Sequence, residues 1–371
     1  MKIAIDAIGI NKFGGGRTAT LHMLQALFKL DRKNEYVVAV SAYEPSLDTG
    51  SGNVTQWIIP VKNRFLVRLY AQVMFPVKFK GFDLIHFTKN LNLIGPLPPQ
   101  VVTVFDMTHV LYPELVPCVD HWFYKYVQKY NLRVARCIIA ISRDAGEGVH
   151  RIYGIPYERI RVVYLAAGDH FKPSSPEEIN RTREKYGLPE KYFIHVGHLD
   201  RKKNLTSLVK AFYLVKQQTG FQGMLVLAGE KYPKGYDPEL FSTIEGLGLT
   251  QSIMLPGGIP DEDLPAILSG AIAKVFPSIH EGFGLAPLEA MACATPVIAN
   301  SAGAVVEVIG DTVILLQENT PERIAEAMIR ILRDPALREE LSRKGYERAK
   351  QFSWEKAAEE TLAIYREVAR K

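Results

Sequence analysis

The chain has 371 residues and is long enough for two domains. Of these residues 47% are hydrophobic and 23% are charged, a balance typical of soluble globular proteins. No apolar run approaches the roughly 18 residues that cross a membrane. The opening residues MKIAIDAIGI predict a first strand rather than a signal peptide. Cys118, Cys137 and Cys293 lack metal-ligand spacing, which predicts reduced thiols in a cytoplasmic protein.

The net charge of +5 is unevenly distributed. Residues 1–170 contain 20 basic and 13 acidic residues, whereas residues 171–371 contain 25 and 27. Part of the excess lies in VKNRFLVRLYAQVMFPVKFKGF, which alternates bulky apolar residues with Lys62, Arg64, Arg68, Lys78 and Lys80. This pattern suits a helix on an anionic membrane surface or, as we favour, a half-buried helix with a solvated face. No nucleic-acid-binding motif accompanies the charge, so we expect no nucleic-acid partner.

The first part of the chain predicts a strand, a glycine loop and a helix. KIAIDAIGI is followed by Gly14, Gly15 and Gly16 and then by an apolar-periodic segment. The loop is not the GxGxxG of dinucleotide-binding domains, and a simple tight turn is the alternative. Further strands at EYVVAVS, FDLIHF, QVVTVFD and RCIIAIS alternate with helical segments, which predicts a doubly wound parallel α/β domain.

In such sheets ligands collect at the carboxyl ends of the strands. The chain places His86, Asp106, His109 and Ser142 at these ends. For any one of them a purely structural role is the alternative, but several together favour a site.

A change of composition in FKPSSPEEI, near residues 170–180, predicts an interdomain linker. The alternation then restarts through YFIHVGHLD, GMLVLAGE, SIMLPG, AKVFPSI and TPVIANS. We therefore predict two Rossmann-like domains, residues 1–170 and 171–352, facing a central cleft that suits a reaction between two bound molecules. The last residues, 353–371, predict an amphipathic helix.

The stretch HEGFGLAPLE lies between the predicted strands AIAKVFPSI and TPVIANS. It carries two carboxylates, Glu281 and Glu289, with Gly282 and Gly284 between them and Pro287 at a position that suits a first helical turn. A strand, a glycine-bearing loop and a helix N-terminus together form an anion site, because N–H groups and the helix dipole face outward. A surface loop that caps an ordinary helix is the alternative.

A second loop, GHLDRKKNL, follows the strand YFIHV at the same predicted sheet edge. Its Arg201, Lys202 and Lys203 carry positive charge that would complement a diphosphate. Three consecutive basic residues are, however, usually part of a solvent-exposed protein surface. Gly229 and Glu230 in LVLAGEK, and the turn LPGGIPDEDL, end two more strands on this side. That turn can present backbone groups to a nucleotide base.

These motifs resemble those of retaining glycosyltransferases of family 4 (GT4), which have the two-domain GT-B fold. HEGFGLAPLEAMACATPVIA resembles the family's E-x7-E motif, FGGG its glycine loop, VVTVFDMTHVLYPEL its strand followed by His-Asp, CIIAISRDAGEGVHRIYGI its strand-Ser-helix unit and VGHLDRKKNL its phosphate loop. The helix beginning at FSWEK resembles the segment that crosses back onto the first domain in GT-B proteins. This resemblance assigns residues 353–371 to the first domain. The motifs are most similar to the mannosyltransferase B branch, which acts in O-antigen and related polysaccharide synthesis.

The resemblance implies roles for the E-x7-E stretch. Glu289 would bind the donor ribose, because a carboxylate accepts two well-aligned bonds from a vicinal diol. Glu281, and Gly282 beside it, would lie near the donor sugar. The backbone amides of the following residues would meet sugar hydroxyls and phosphate, and these residues are Phe283, Gly284 and Leu285.

The resemblance also implies the remaining donor contacts. Lys203, with Arg201 or Lys202, would hold the diphosphate and offset the charge that develops on the leaving group. The turn from Gly257 to Ile259 would contact the base. In the first domain, Gly15 and Gly16 would let the backbone approach the phosphate or sugar.

Two positions depart from the family pattern. Phe105 stands where the family commonly has His before Asp106, so a histidine contact to the donor sugar does not carry over, and His109 as a substitute is conjecture. His198 stands where an Arg often follows the glycine of the phosphate loop, which leaves Arg201 and Lys202 as candidates for that charge. Asp106 is our candidate for orienting the acceptor hydroxyl.

The resemblance implies a retaining transferase in which the second domain binds a nucleotide sugar, the first binds an acceptor hydroxyl and closure expels water. The basic loop can neutralise the phosphate charge, so we expect neither metal nor cofactor. GDP-mannose is the expected donor, solely because the motifs are most similar to the mannosyltransferase B branch. UDP- and dTDP-sugars remain as alternative donors. A glycan or lipid-linked saccharide is the expected acceptor, met at the inner face of the cytoplasmic membrane, where the stretch at 62–80 would contact anionic lipid.

Two other classes of protein remain as alternatives. A nucleotide-dependent dehydrogenase would also show the Rossmann pattern, but both glycine loops lack its fingerprint. A non-catalytic sugar-binding protein with two domains is usually exported, and the opening residues do not predict an export signal.

Overall fold

The computed structural model describes residues 1–10, 14–50, 52–61, 63, 66–230 and 237–370. The chain forms two compact units. The first unit comprises Met1–Pro113, Pro117–Leu165 and Ser353–Lys371, and the second comprises Glu114–Val116 and Ala166–Phe352. The change from one unit to the other at Ala166 lies just before the predicted linker.

The first unit contains a parallel sheet with seven strands among its described residues. The strands are β1 (Lys2–Asp6), β2 (Glu35–Val40), β3 (Val54–Ile58), β4 (Leu84–Phe87), β5 (Gln100–Val104), β6 (Cys137–Ala140) and β7 (Ile160–Val162). Their order is β3-β2-β1-β4-β5-β6-β7. Strands β4 and β5 are buried at every residue, which explains why their sequences are mainly apolar and do not alternate between apolar and polar residues.

The first unit's sheet is covered by helices on both faces. Before β7 these are α1 (Gly15–Leu30), α2 (Leu66–Lys78), α3 (Thr108–Leu111), α4 (Cys118–Trp122), α5 (Gln128–Val134) and α6 (Arg143–Tyr153). A π-helical segment, Phe123–Val127, joins α4 to α5. Short 3-10 turns lie at Pro45–Leu47, Pro113–Leu115 and Tyr157–Arg159. Phe75 of α2 and Leu132 of α5 belong to one core cluster with Val102 and Ile138 of the sheet, so both helices cover the same sheet face.

The second unit repeats the pattern with a parallel sheet whose described strands number six. They are β8 (Tyr192–Val196), β9 (Met224–Ala228), β10 (Ile253–Gly257), β11 (Ala273–Phe276), β12 (Val297–Asn300) and β13 (Ile314–Leu316), in the order β10-β9-β8-β11-β12-β13. The helices are α7 (Pro176–Tyr186), α8 (Leu205–Thr219), α9 (Pro238–Gly246), α10 (Leu264–Ser269), α11 (Leu285–Ala292), α12 (Val305–Ile309), α13 (Pro321–Arg333) and α14 (Pro335–Ala349).

The last helix, α15 (Trp354–Arg370), returns to the first unit and packs against α1. Tyr365 of α15 is fully buried, and its hydroxyl lies 2.5 Å from Nδ1 of His86 on β4. The other ring nitrogen of His86 lies 2.8 Å from the Thr103 hydroxyl on β5. The closing helix is therefore joined to the centre of the first sheet.

Within the basic stretch at 62–80, Leu66–Lys78 form α2, and the outer face of this helix differs from the favoured prediction. Lys62 and Arg64 lie outside the described residues. Arg68 turns inward and pairs with Asp6 of β1 at 2.5 Å, and Lys78 lies over the Trp57 ring. The helix is half-buried as predicted, but the residues exposed on it are mainly apolar rather than polar.

No helix within the described ranges combines the length and the apolar composition needed to cross a bilayer.

Candidate active site

The HEGFGLAPLE stretch leads from β11 into α11, as the sequence predicted. Gly284 precedes the helix with φ 93°, a backbone conformation that favours glycine. Phe283 is 3% exposed, and its ring packs at 6.0 Å against that of Phe352. Gly282 is also buried, whereas Leu285 is half-buried. The loop is thus fixed by an aromatic anchor directly before the first turn of α11, where helical N–H groups lack partners within the helix.

The basic loop is built as a short 3-10 turn, Arg201–Lys203. Asp200 caps it, because its Oδ1 accepts a hydrogen bond from the Lys203 amide at 3.2 Å. Burial raises the pKa of Asp200, and the charges of Lys203 and Lys202 oppose that shift. Asn204, with φ 52°, then directs the chain into α8. Arg201 is exposed, whereas Lys202 and Lys203 are half-buried.

The structure brings these two loops into direct contact. The Ile279 amide donates to the Lys202 carbonyl at 2.8 Å. Lys203 Nζ lies 2.6 Å from Glu281 Oε1, and Lys202 Nζ lies 3.9 Å from Glu281 Oε2. Burial alone would raise the pKa of Glu281, but the charges of Lys203 and Lys202 lower it to about 2. Glu281 is therefore a fixed anion that holds both lysines at the carboxyl end of the sheet.

Glu289 lies in a different environment. It is half-buried on the first turns of α11. Burial raises its pKa above the usual range for a glutamate, Lys274 acts against that shift and Asp261 adds to it. The two carboxylates of the motif are thus shifted in opposite directions, which is a recurrent property of functional sites.

Lys274 is the residue that sequence reasoning missed. It lies on β11, is fully buried, and its Nζ donates to the Ala286 carbonyl of α11 at 2.8 Å. Burial lowers its pKa, and the negative charge of Glu289 raises it. The available signal was a lysine inside the apolar strand AKVF, since a lysine is almost never fully buried without a partner.

The predicted base-contacting turn lies at the same sheet edge. Gly257 ends β10, and its carbonyl accepts from the Gly229 amide, just after β9, at 2.8 Å. Ile259 is half-buried two residues further on. A Cβ atom at Gly229 would overlap the Gly197 carbonyl oxygen, so the ends of β8 and β9 can approach each other only because Gly229 has no side chain.

In the first unit, Gly15 and Gly16 are the first two residues of α1 rather than part of the loop before it. A Cβ atom at either position would meet no other atom within 4 Å, so the backbone is accessible there. Phe13 of the predicted FGGG motif lies outside the described residues.

Asp106 follows β5, and its Oδ1 accepts from the Thr108 amide at 3.1 Å. His109 lies on α3, where its ring stacks on Tyr124 at 4.2 Å. The half-buried Phe105 precedes Asp106, and its amide donates to Asn90 Oδ1 at 2.7 Å. The conjecture that His109 replaces the family's histidine stays a prediction.

Two of the predicted strand-end residues have structural contacts. His86 is held between Tyr365 and Thr103, and burial lowers its pKa to about 3, so it is neutral. Ser142 is fully buried and caps α6 by accepting from the Ala145 amide at 3.0 Å. The contacts of His86 and Ser142 therefore fit a purely structural role, which was the alternative to a role in the site.

Groups that could hold a metal ion were sought in the described part of the chain. No cluster of three or more His, Cys, Asp or Glu side chains is found there. None of the three cysteines forms a disulfide, and Cys118 is exposed whereas Cys137 and Cys293 are buried.

Comparison with known families follows the same division of the chain. Residues 13–166 match the family described as Glycosyltransferase Family 4, and residues 177–348 match Glycosyl transferases group 1. The O-antigen chain mannosyltransferase B of Escherichia coli is 30% identical over 285 residues, which cover 76% of this chain and 74% of that protein. The serotype-specific mannosyltransferase WbdA of Escherichia coli is 30% identical over 60% of this chain, but the match covers only 28% of that longer protein.

Solved structures share the architecture. Sucrose-phosphate synthase from Thermosynechococcus elongatus has a TM-score of 0.78 at 22% identity and covers 99% of this chain and 98% of its own. HepE from Anabaena, solved with UDP and glucose, has a TM-score of 0.79 at 20% identity over 98% of this chain and 99% of its own. The fold is therefore the GT-B fold. The two family matches define the chain as a glycosyltransferase. More specifically, it belongs to glycosyltransferase family 4, near the mannosyltransferase branch, as the motifs predicted.

Proposed function

We propose that the protein transfers a sugar from a nucleotide-sugar donor to a hydroxyl of a glycan or lipid-linked saccharide in cell-surface polysaccharide synthesis, with retention of configuration. The observation that supports this most is the contact between the basic loop and the start of the E-x7-E motif, where Lys203 and Glu281 lie 2.6 Å apart. Cations beside a helix N-terminus suit a diphosphate. Mannose from GDP-mannose is our first choice of donor, because the E. coli relative is named a mannosyltransferase.

In the proposed reaction the donor diphosphate lies against Lys203, with Arg201 and Lys202 beside it. The bond between the anomeric carbon and the diphosphate oxygen breaks, and a bond from the acceptor oxygen to that carbon forms on the same face. The acceptor proton passes to the leaving phosphate oxygen, so no protein nucleophile is needed. The lysines stabilise the charge that develops on the diphosphate, and we propose that the reaction needs no metal ion.

The two carboxylates have separate proposed roles. Glu289 accepts hydrogen bonds from the donor ribose, and it must be ionised to accept them through both oxygens. Glu281 holds Lys203 in place and lies near the donor sugar with Gly282. The amides of Phe283, Gly284 and Leu285 contact sugar hydroxyls and phosphate, and the turn from Gly257 to Ile259 contacts the base. These further groups complete the donor site.

The acceptor side is assigned to the first domain. We propose that Asp106 orients the acceptor hydroxyl and that Gly15 and Gly16, at the start of α1, let the backbone approach the donor phosphate or sugar. We place the reaction at the inner face of the cytoplasmic membrane, since a lipid-linked acceptor is met there and the basic excess of residues 1–170 favours anionic lipid.

Replacing Glu289 with alanine tests the donor site. We expect Glu289→Ala to lower kcat/KM by roughly 100-fold and to raise the donor Kd, because the ribose loses a charged acceptor. Transfer is measured with a nucleotide sugar and a lipid-linked acceptor, with and without a chelator. The matched control is Glu245→Ala, an exposed carboxylate on α9 of the same unit. Unchanged donor binding and turnover in Glu289→Ala would contradict the assignment of Glu289 to the ribose. Loss of wild-type activity in the presence of the chelator would contradict the proposal that the reaction needs no metal ion.

The donor base and sugar are tested by thermal-shift measurements with GDP-, UDP- and dTDP-sugars. We expect GDP-mannose to stabilise the wild-type protein most. HepE was solved with UDP, so preferential stabilisation by a UDP-sugar would instead support that donor on the same fold. Stabilisation by NAD(P)H alone, without turnover of any nucleotide sugar, would favour the dehydrogenase alternative.

A further inference from the structure

The outer face of α2 is an exposed apolar stripe. The inner face of this helix is buried through Val67, Ala71 and Phe75. The opposite side exposes between 56% and 70% of each of four apolar side chains, Leu66, Leu69, Val73 and Val77. Their spacing of three and four residues puts them on one side of the helix. Exposed apolar residues are ordinary when scattered, but a contiguous row of them marks an interaction site.

A second stripe follows the continuous helical segment at 118–134, which consists of α4, the π-helical segment and α5. We call this segment the 118–134 helix. Its exposed apolar and aromatic side chains again recur at three and four residues, and they are Val119, Trp122, Tyr126, Tyr130 and Val134. Leu132 of the same helix is buried against the sheet, so the stripe is the outer side of a helix that is otherwise well packed.

The two stripes lie on the same side of the first unit. Both helices cover one sheet face, since Phe75 and Leu132 share a core cluster. The loop between β4 and β5 joins them. Gln72 of α2 donates to the Ile94 carbonyl, and Asn92 donates to the Asn131 carbonyl of α5 at 2.7 Å. Ile94 is itself 48% exposed. The stripes and Ile94 therefore form what we call the two-helix surface.

The charges around the two-helix surface have mostly one sign. Helix α2 contains no acidic residue, and Asp120 is the one acid of the 118–134 helix. The exposed basic residues beside the stripes are Lys78, Lys80, Lys125 and Arg133. Lys125 lies over the Tyr126 ring and Arg133 over the Tyr130 ring, at 5.5 and 5.6 Å. The surface thus combines an apolar centre, aromatic rings with polar tips and a basic rim.

We propose that the two-helix surface is the face by which the protein lies on an anionic lipid bilayer. Apolar side chains would enter the headgroup region, Trp122 and the tyrosines would lie at the interface, and the basic rim would meet lipid phosphates. A second copy of the chain is a poorer occupant, because a symmetric contact would place two basic rims together. The proposal extends the proposed function by naming the contact with the membrane, but it does not depend on which sugar is transferred.

Sedimentation with lipid vesicles tests the proposal on the 371-residue chain. We expect the wild type to bind vesicles that contain phosphatidylglycerol and to bind pure phosphatidylcholine much more weakly. The double variant Leu69→Ser/Trp122→Ser should reduce the partition coefficient on anionic vesicles by roughly tenfold or more, because two apolar side chains that would enter the bilayer are lost. The matched control is Tyr43→Ser, which removes another side chain of the first unit that is 52% exposed.

Three results would overturn the proposal: no vesicle binding by the wild type, equal binding by the double variant, or a wild-type dimer in sedimentation velocity that the double variant lacks. The stabilisation of each variant by nucleotide sugars is measured in parallel. Because the donor is assigned to the second unit, the double variant should keep that stabilisation, and the fluorescence of Trp57 and Trp354 reports whether its first unit is folded. Loss of vesicle binding with retained donor binding therefore separates this surface from the transfer reaction.

Discussion

At the scale of single residues, the important pair is Lys274 and Glu289. A lysine is buried at a cost unless an opposite charge and hydrogen bonds compensate. Here Nζ of Lys274 binds the Ala286 carbonyl, and the negative charge of Glu289 favours its protonated form. The benefit is mutual, since the ammonium group opposes the effect of burial on Glu289. Lys274 therefore favours the ionised form of the proposed ribose ligand.

The variant Lys274→Met tests this dependence. Without the ammonium group the pKa of Glu289 should rise further, because burial and Asp261 are then opposed by less positive charge. A raised pKa means that Glu289 is ionised only at higher pH, so the acid limb of donor binding should shift upward by about one pH unit. Donor Kd is measured by calorimetry between about pH 6 and pH 9.

A purely structural role for Lys274 would weaken binding equally at every pH. An unshifted limb in Lys274→Met, beside a strong effect of Glu289→Ala, would therefore reject the pairing and keep the ribose assignment. The comparison variant is Lys210→Met, because Lys210 is an exposed lysine on α8 of the same unit. It should leave the pH profile unchanged.

The carboxylates and the basic triplet were predicted from their motifs, but their partners were not. Glu281 and Lys203 are 78 residues apart in the chain, and only the parallel register of β8 and β11 brings their loops together. Lys274 escaped notice because its contact depends on α11 lying across β11. Motif spacing indicates which residues share a sheet edge, but it does not indicate which of them form an ion pair.

At the scale of secondary structure, the site depends on how closely the strand ends approach one another. The ends of β8 and β9 meet at Gly197 and Gly229, with φ 152° and 154°. Most strands were predictable, because strands buried on both faces are continuous apolar runs. The exposure of apolar residues on the outer face of α2 could not be predicted. Its sequence, LVRLYAQVMFPVK, is apolar on both sides of the helix, so the pattern alone does not show which side faces the core.

The variant Gly229→Ala tests the close approach. Its methyl group would overlap the Gly197 carbonyl oxygen, so the basic loop that follows Gly197 should shift. We expect a loss of stability of about 3 kcal/mol or more and loss of donor-induced stabilisation. The control is Gly220→Ala at the end of α8, which also has positive φ but meets no atom within 4 Å. Gly220→Ala should lower the stability by only about 1 kcal/mol. Equal stability losses in the two variants would show that backbone strain, and not the overlap with the Gly197 carbonyl oxygen, destabilises Gly229→Ala.

At the scale of the whole molecule, each unit contains a buried histidine that is neutral in the fold. Burial lowers the pKa of His86 in the first unit to about 3, and burial with the charges of Lys203 and Lys274 lowers that of His195 in the second to about 3. The unfolded chain binds protons at these positions from pH 6.5 downward, whereas the fold does not. Stability should therefore fall as the pH drops below 6.5, and it should do so in both units.

The first unit can be followed alone, because all three tryptophans, Trp57, Trp122 and Trp354, belong to it. We expect the urea midpoint from tryptophan fluorescence to fall between pH 7 and about pH 5, with His86 contributing about 2 kcal/mol. In His86→Gln the midpoint should be lower at pH 7 but should change less with pH. An unchanged pH dependence in this variant would show that other groups cause the acid sensitivity.

The ion pair between Lys203 and Glu281 also bears on turnover. To bind a diphosphate as proposed, a lysine that already holds a carboxylate at 2.6 Å would have to exchange that partner, at least in part, for a phosphate. The exchange reduces the net gain from binding any diphosphate, whether it belongs to the intact donor or to the nucleoside diphosphate left after transfer. In the proposed donor site Glu281 would thereby limit how tightly the spent nucleotide is retained and would favour its release between cycles.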